Sequence, residues 1–206
     1  MNNIDKIKQK NYLGKRSFYL LPNILTTSSL FAGFYSIVQA MNGAYDHAAL
    51  AIFIALILDG LDGRVARLTN TQSSFGAEYD SLSDMVSFGV APGLIVYVWA
   101  LQPLGKLGWI AAFIYCTCAA FRLARFNVKL DIDNKQFFFG LPSPAAAALI
   151  ASFIWISYDN GISGNEIFLG FFQMQWFAFL LTIFAALSMV TDLRYYSGKD
   201  INLRNS

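Results

Sequence analysis

The sequence predicts an all-α integral membrane protein of six transmembrane helices, preceded by a cytoplasmic amino-terminal amphipathic segment. Three observations carry that prediction. The first is composition: 56% of the 206 residues are hydrophobic and only 14% are charged, with a mean hydropathy of +0.46, whereas a soluble domain carries about 25% charged residues. The second is the run of six apolar stretches parted by short polar turns, most of them near the ~20 residues a membrane helix needs. The third is the placement of Lys and Arg. Six spans put both termini on one side, and 14 of the 15 basic residues fall there, with Lys106 alone on the other. The positive-inside rule then makes that side cytoplasmic, in the cell's inner membrane. The chain divides into a basic juxtamembrane segment (1–17), a membrane domain (18–193) and a cytoplasmic tail (194–206). No second soluble domain fits this length, and no nucleic-acid partner is expected.

The elements follow in order. Residues 1–17 hold Lys6, Lys8, Lys10, Lys15 and Arg16 against Asp5. They read either as a helix on the anionic inner surface or as a solvated tail. Residues 21–41 form the first span, with Pro22 suited to a helix start. Asn23, Thr26, Thr27, Ser28 and Ser29 make its inner half polar, bonding either to their own helix carbonyls or to a polar ligand. The second span covers 48–68. The turn-forming run Thr69, Asn70, Thr71, Gln72, Ser73, Ser74 folds the chain back. The third span, 77–101, contains Gly89, Pro92 and Gly93, which predict a kink or local unwinding. The fourth covers 107–127 and ends in Arg122-Leu123-Ala124-Arg125. A mixed-charge loop, 128–139, follows. The fifth, 141–157, is rich in small residues that permit close helix approach. The sixth covers 168–190. Cys116 and Cys118, two apart on a helix, point in different directions and predict two buried thiols rather than a disulfide or metal motif. His47 sits at a loop edge without an assigned role.

One stretch, Asp59 to Asp84, concentrates the chemistry. On a helix, Asp59, Asp62, Gly63, Ala66 and Arg67 share one face, and Asp80 and Asp84 share a face of the next, one turn after Gly76. If the two helices fold together, four carboxylates meet at one depth of the membrane. Such a cluster is costly unless a cation binds. Oxygen ligands with no His or Cys nearby indicate a hard cation, Mg2+ first and Mn2+ next. Two divalent ions held this way would clamp a diphosphate and assist displacement at phosphorus. Gly63 and Gly76 remove side chains where a nucleotide could approach, and Arg67 can pair with a phosphate. An acid at the cluster's edge can act as general base toward a hydroxyl. A purely structural network of four acids with Arg67, Arg122 and Arg125 would be an expensive way to hold helices together.

The spacing Asp59-x-x-Asp62-Gly63-x-x-Ala66-Arg67, eight residues, Gly76-x-x-x-Asp80-x-x-x-Asp84 resembles the complete signature of the CDP-alcohol phosphotransferases. The resemblance implies a six-helix fold, a homodimer, a two-metal site and displacement of CMP from a CDP-linked donor by an alcohol. It implies Asp59, Asp62, Asp80 and Asp84 as metal ligands, with Asp84 also the general base. It implies Gly63, Ala66, Arg67 and Gly76 around the CDP moiety, with Asn23 and Thr26 near its diphosphate. The runs 80–92, 122–127 and 140–146 are similar to those of a narrower subgroup, the CDP-diacylglycerol–serine O-phosphatidyltransferases. The likeness covers about residues 22–144 and weakens over 195–199, where the family more often has a bulky residue at the position of Gly198.

That subgroup implies transfer of a phosphatidyl group from CDP-diacylglycerol to the hydroxyl of L-serine in a membrane, making phosphatidylserine and CMP. Serine's carboxylate needs a cation. Arg122 and Arg125, at the end of the fourth span beside the acids, are candidates for it or for a lipid phosphate. Anchoring at the cytoplasmic surface is the competing explanation. Lys135 and Ser143 are weaker acceptor candidates, and Phe88 reads as core or lipid-facing. Three rivals remain open: another acceptor such as glycerol 3-phosphate or inositol phosphate, which would want a denser basic pocket; a divalent-cation transporter, against which stands the confinement of the acids to one membrane face; and a structural membrane protein.

Overall fold

The computed structural model describes residues 3–69, 71, 73–130, 137–162, 164, 167–168, 172–191 and 194–196. Six helical segments occupy the positions read from hydropathy. We number them α1 (Asn3–Met41), α2 (Tyr45–Leu68), α3 (Ser74–Leu104), α4 (Lys106–Leu130), α5 (Ser143–Asp159) and α6 (Met174–Val190). Among the described residues, three stretches are long and apolar enough to cross a membrane, namely Pro22–Met41, α3 and Lys106–Val128; α6 is a shorter apolar helix. The chain is therefore mainly helical and of membrane type.

Three expectations need correction. Pro22 does not start a helix: α1 runs on through it from Asn3, as membrane helices tolerate a proline whose freed backbone group is satisfied by its surroundings. The fold is not purely helical. Phe137–Phe139 (β1) pairs antiparallel with Arg194–Tyr196 (β4), inside the expected loop and tail. Ile167–Phe168 (β2) pairs with Phe172–Gln173 (β3), so the sixth helix begins at Met174 rather than 168. Aromatic and β-branched residues at these points favour the extended form. The side chains of 3–21, the whole of 131–136, with Lys135, and residues 197–206, with Gly198, lie outside the described residues.

Helix α3 is the centre of the bundle. Its apolar window is 61% buried, against 33% for those of α1 and α4. It is also the irregular helix, with π-helical turns at Met85–Val90 and Tyr97–Leu101. The first lies where the Gly89-Pro92-Gly93 run predicts unwinding, and its cause is local. Pro92 has no N–H to give the Phe88 carbonyl, and the Ala91 N–H reaches back to Val86 instead. The fully buried Tyr115 of α4 donates its hydroxyl to Phe88 O at 3.1 Å, and Cys116 Sγ donates to Gly89 O at 3.4 Å. A neighbouring helix thus supplies the donors that the proline turn lacks. Both cysteines are free thiols, and Phe88 is fully buried core.

Buried serines stitch α3 to α1 and α1 to α2. Ser87 Oγ donates to Ser29 O (3.2 Å), Ser83 Oγ to Thr26 O (3.1 Å), Ser29 Oγ to Ala55 O (3.1 Å) and Ser36 Oγ to Ala48 O (2.6 Å). Each such bond contributes roughly 0.6 kcal/mol in a membrane. Their larger effect is to fix the register of three helices. Contact is close enough that a Cβ on Gly33 would lie 2.4 Å from Ser87 Oγ. Alanines 48, 49, 51 and 55 of α2 and 146, 147 and 151 of α5 bring those two helices together.

Candidate active site

The register set by the serines decides where the acids meet. Asp59 and Asp62 stand one turn apart on α2, and Asp80 and Asp84 one turn apart on α3. The reversal between these helices is capped at both ends. Thr69 Oγ1 donates to Val65 O at 2.7 Å, and the Ser73 side chain, as N-cap of α3, accepts the Gly76 N–H at 3.0 Å. One carboxylate oxygen from each of Asp59, Asp62 and Asp80 then lies within 4.8 Å of the others. Asp84 sits at the edge of this trio, with its carboxyl beside that of Asp59.

Three carboxylates this close in an apolar bundle repel one another. The described residues place no Lys or Arg in an ion pair with them. Asp84 Oδ1 is buried and has no hydrogen-bond partner among the described residues. An oxygen-only donor set of this density fits hard divalent cations, and the acids expected from the sequence are the ones brought together.

Around the trio, a Cβ on Gly63 would meet nothing within 4 Å, whereas one on Gly76 would lie 3.7 Å from Asn23 Oδ1. The side of α2 at Gly63 is therefore open to a ligand, and Asn23 borders Gly76. Arg67 is exposed and folds back along its helix, donating from Nε to Gly63 O at 2.9 Å, so its charge stands over the open glycine. Ala66 is half-buried, with its carbonyl held by the Thr71 N–H. Thr26 behaves differently from Asn23: it is buried, and its Oγ1 lies 2.7 Å from Asp62 Oδ2.

A second corner forms on the other side of Asp84. The α4 residue Arg122 is half-buried, lies within electrostatic reach of Asp84, and donates from Nη1 to Ser143 Oγ at 3.1 Å. Its Nε is buried without a hydrogen-bond partner among the described residues. Ser143 is fully buried at the start of α5. It is placed by a tight connection: Gly140 adopts φ +79°, where a Cβ would lie 2.4 Å from Met189 O, and the Leu141 N–H bonds to Ser188 O at 2.8 Å. The β1–β4 ribbon closes the same connection on the carboxyl-terminal segment. Arg125, paired with Arg122 in the sequence reading, is exposed, so the two arginines have different surroundings.

Sequence reasoning missed two polar contacts beside the acids. Ser81, next to Asp80, exchanges hydrogen bonds with Asn127 of α4 at 3.0–3.1 Å. Tyr79 OH meets Thr27 Oγ1 at 2.8 Å and stacks on Phe75. The available signal was polar side chains inside apolar stretches, which must find partners, but spacing alone does not name the partner.

Comparison with known proteins agrees with the geometry. The sequence model of the family described as CDP-alcohol phosphatidyltransferase matches residues 19–191. A CDP-diacylglycerol–serine O-phosphatidyltransferase of Helicobacter pylori (strain J99) is 40% identical over 188 residues, covering 89% of this chain and 74% of the relative. An enzyme of the same description from Methanocaldococcus jannaschii is 40% identical over 144 residues, 70% of this chain and 61% of the relative. An archaetidylserine synthase of Methanothermobacter thermautotrophicus is 36% identical over 149 residues, 71% of this chain and 63% of the relative.

Proposed function

The chain belongs to the CDP-alcohol phosphatidyltransferase family, and we propose that it makes phosphatidylserine by transferring the phosphatidyl group of CDP-diacylglycerol to L-serine. The observation that carries the choice of acceptor is Arg122. Among the basic side chains whose exposure is described, it alone is not exposed. It sits between Asp84 and Ser143 with Nε unpartnered. A single half-buried guanidinium suits one carboxylate. A phosphorylated acceptor would call for more positive charge.

In this reading Asp59, Asp62, Asp80 and Asp84 would hold two divalent ions, Mg2+ or Mn2+. When bound, these ions would neutralise the diphosphate and the departing CMP. Asn23, Gly63, Ala66, Arg67 and Gly76 border the CDP moiety. Arg122 and Ser143 hold the serine carboxylate, which aims the hydroxyl at Asp84. Arg125, at the exposed end of the same helix, serves the lipid phosphate. Asp84 takes the hydroxyl proton as the serine oxygen bonds to the β-phosphorus. The bond from that phosphorus to the CMP oxygen breaks, and CMP leaves with the electron pair. Holding the hydroxyl in line with the phosphorus lowers the barrier further.

The same reading gives a six-span membrane domain over 18–193, with both termini and the acids at the cytoplasmic face of the inner membrane, in a homodimer. The 14-to-one division of Lys and Arg supports the orientation.

The test is CMP release from CDP-diacylglycerol by purified protein with Mg2+ or Mn2+. Release that depends on L-serine is the expected result. Release that ignores serine and responds to glycerol 3-phosphate or inositol phosphate would overturn the acceptor and keep the chemistry.

A further inference from the structure

We infer that Thr26 is a positioning residue that orients the Asp62 carboxylate for metal binding, and that it does not contact the donor diphosphate. The inference rests on reading the acid cluster as a divalent-metal site.

The Thr26 hydroxyl has one proton and two acceptors in reach, Asp62 Oδ2 at 2.7 Å and Pro22 O at 3.1 Å. The Pro22 carbonyl lies four residues back in the same helix, where the Thr26 N–H already serves it. The Asp62 oxygen is the shorter contact, and a bond to a carboxylate is about twice as strong as one to a neutral acceptor. The proton therefore goes to Asp62. That bond occupies one lone pair of Oδ2 and fixes the orientation of the carboxylate before any ion arrives.

Burial separates this role from a ligand contact. Thr26 is 4% exposed and Asp62 5%, so a diphosphate reaching the hydroxyl would have to displace Asp62 or part the helices. Asn23, one turn earlier, is half-buried beside Gly76 and remains open to a ligand. The two residues that look equivalent in the sequence thus divide. The main chain adds a second link: Thr26 O accepts from Ser83 Oγ, and Ser83 precedes Asp84. One α1 residue therefore ties an acid on α2 to the backbone that carries an acid on α3. Partners that orient a metal ligand commonly affect metal affinity as the ligands do.

The test is Mn2+ binding to detergent-purified protein, followed by the electron paramagnetic resonance of unbound Mn2+, without CDP-lipid. Thr26→Val should raise the Mn2+ dissociation constant about 10-fold or more, and Thr26→Ser should restore it. With saturating Mn2+, the KM for CDP-diacylglycerol should stay at the wild-type value in both variants. Unaltered Mn2+ affinity in Thr26→Val with a raised donor KM would overturn the inference and make Thr26 a donor contact. Lower thermal stability of the metal-free protein with unaltered Mn2+ affinity would also overturn it, as a purely structural role. Should Thr26→Val not fold, Thr26→Ala carries the same comparison without adding bulk. Failure of the wild type to bind Mn2+ would instead strike the metal-site reading itself.

Discussion

The two corners that meet at Asp84 are built in different ways. The metal corner comes from adjacent helices and from one continuous stretch, Asp59 to Asp84. Its geometry follows from one-turn spacings and a capped reversal. The proposed acceptor corner takes Asp84 from α3, Arg122 from α4 and Ser143 from α5, and depends on a glycine at positive φ packed against the end of α6. The first is a product of local helix geometry; the second exists only when the whole bundle is assembled. The division separates two jobs. Activating a diphosphate is common to every acceptor, so it suits a compact local unit. Choosing the acceptor can change with the helices that pack around that unit.

The comparison makes Asp84 the one residue whose loss should damage both corners, and the largest effect belongs there. Asp84→Asn keeps the shape of the side chain and removes its basicity. CMP release at saturating serine and donor should fall about a thousandfold, the scale of a lost general base. Binding of CDP-diacylglycerol, measured by equilibrium titration, should persist. Turnover near the wild-type rate would remove Asp84 as the base and leave the two corners unconnected.

Arg122→Ala should act on one side only. Loss of a charged, buried hydrogen-bond donor costs about 1.5–3 kcal/mol, so the serine KM should rise roughly 10- to 100-fold. Mn2+ affinity and donor KM should hold. Ser143→Ala removes the oxygen that steadies Arg122 without removing the charge, and the serine KM should rise by up to about tenfold, the low end for a hydrogen bond to a charged group. If either variant weakened Mn2+ binding as strongly as it weakened serine use, the corners would form a single unit. If neither moved the serine KM, Arg122 would return to anchoring the helix end.

The same contrast explains what could be read from the residues. The acid cluster was legible because helix periodicity projects Asp59, Asp62 and Asp80 onto facing surfaces whatever the rest of the bundle does. The helix order was legible for the same reason, as each apolar stretch reports its own solvent. The β1–β4 ribbon was not, since its strands belong to segments more than fifty residues apart and each is only three residues long. Arg122 and Arg125 looked alike because they sit three apart on one helix. Only the packing of α5 against α4 buries the first and leaves the second exposed. Thr26 illustrates the same limit at closer range, because a hydroxyl facing a ligand and a hydroxyl facing Asp62 have the same spacing in sequence.

The smallest expected effect tests whether the corners share a mechanical base. The π-helical turn of α3 starts at Met85, directly after Asp84, and its proline-vacated carbonyl is served by Tyr115 of α4. Tyr115→Phe removes that donor and leaves Phe88 O unserved in an apolar interior. The loss should be about 1 kcal/mol of stability, the scale of one such bond in a membrane, read as a lower thermal midpoint in detergent. Tyr115 touches neither the acids nor Arg122 in this arrangement. Any catalytic change must therefore pass through the placement of Asp84, and should appear as a two- to threefold lower kcat, within what a bond of this size can supply. The KM values for serine and donor should both stay fixed. A change confined to the serine KM would mean that the turn belongs to the acceptor corner alone. A matching loss in Mn2+ affinity would assign it to the metal corner. An effect on kcat alone would identify the turn as the element on which both corners pivot.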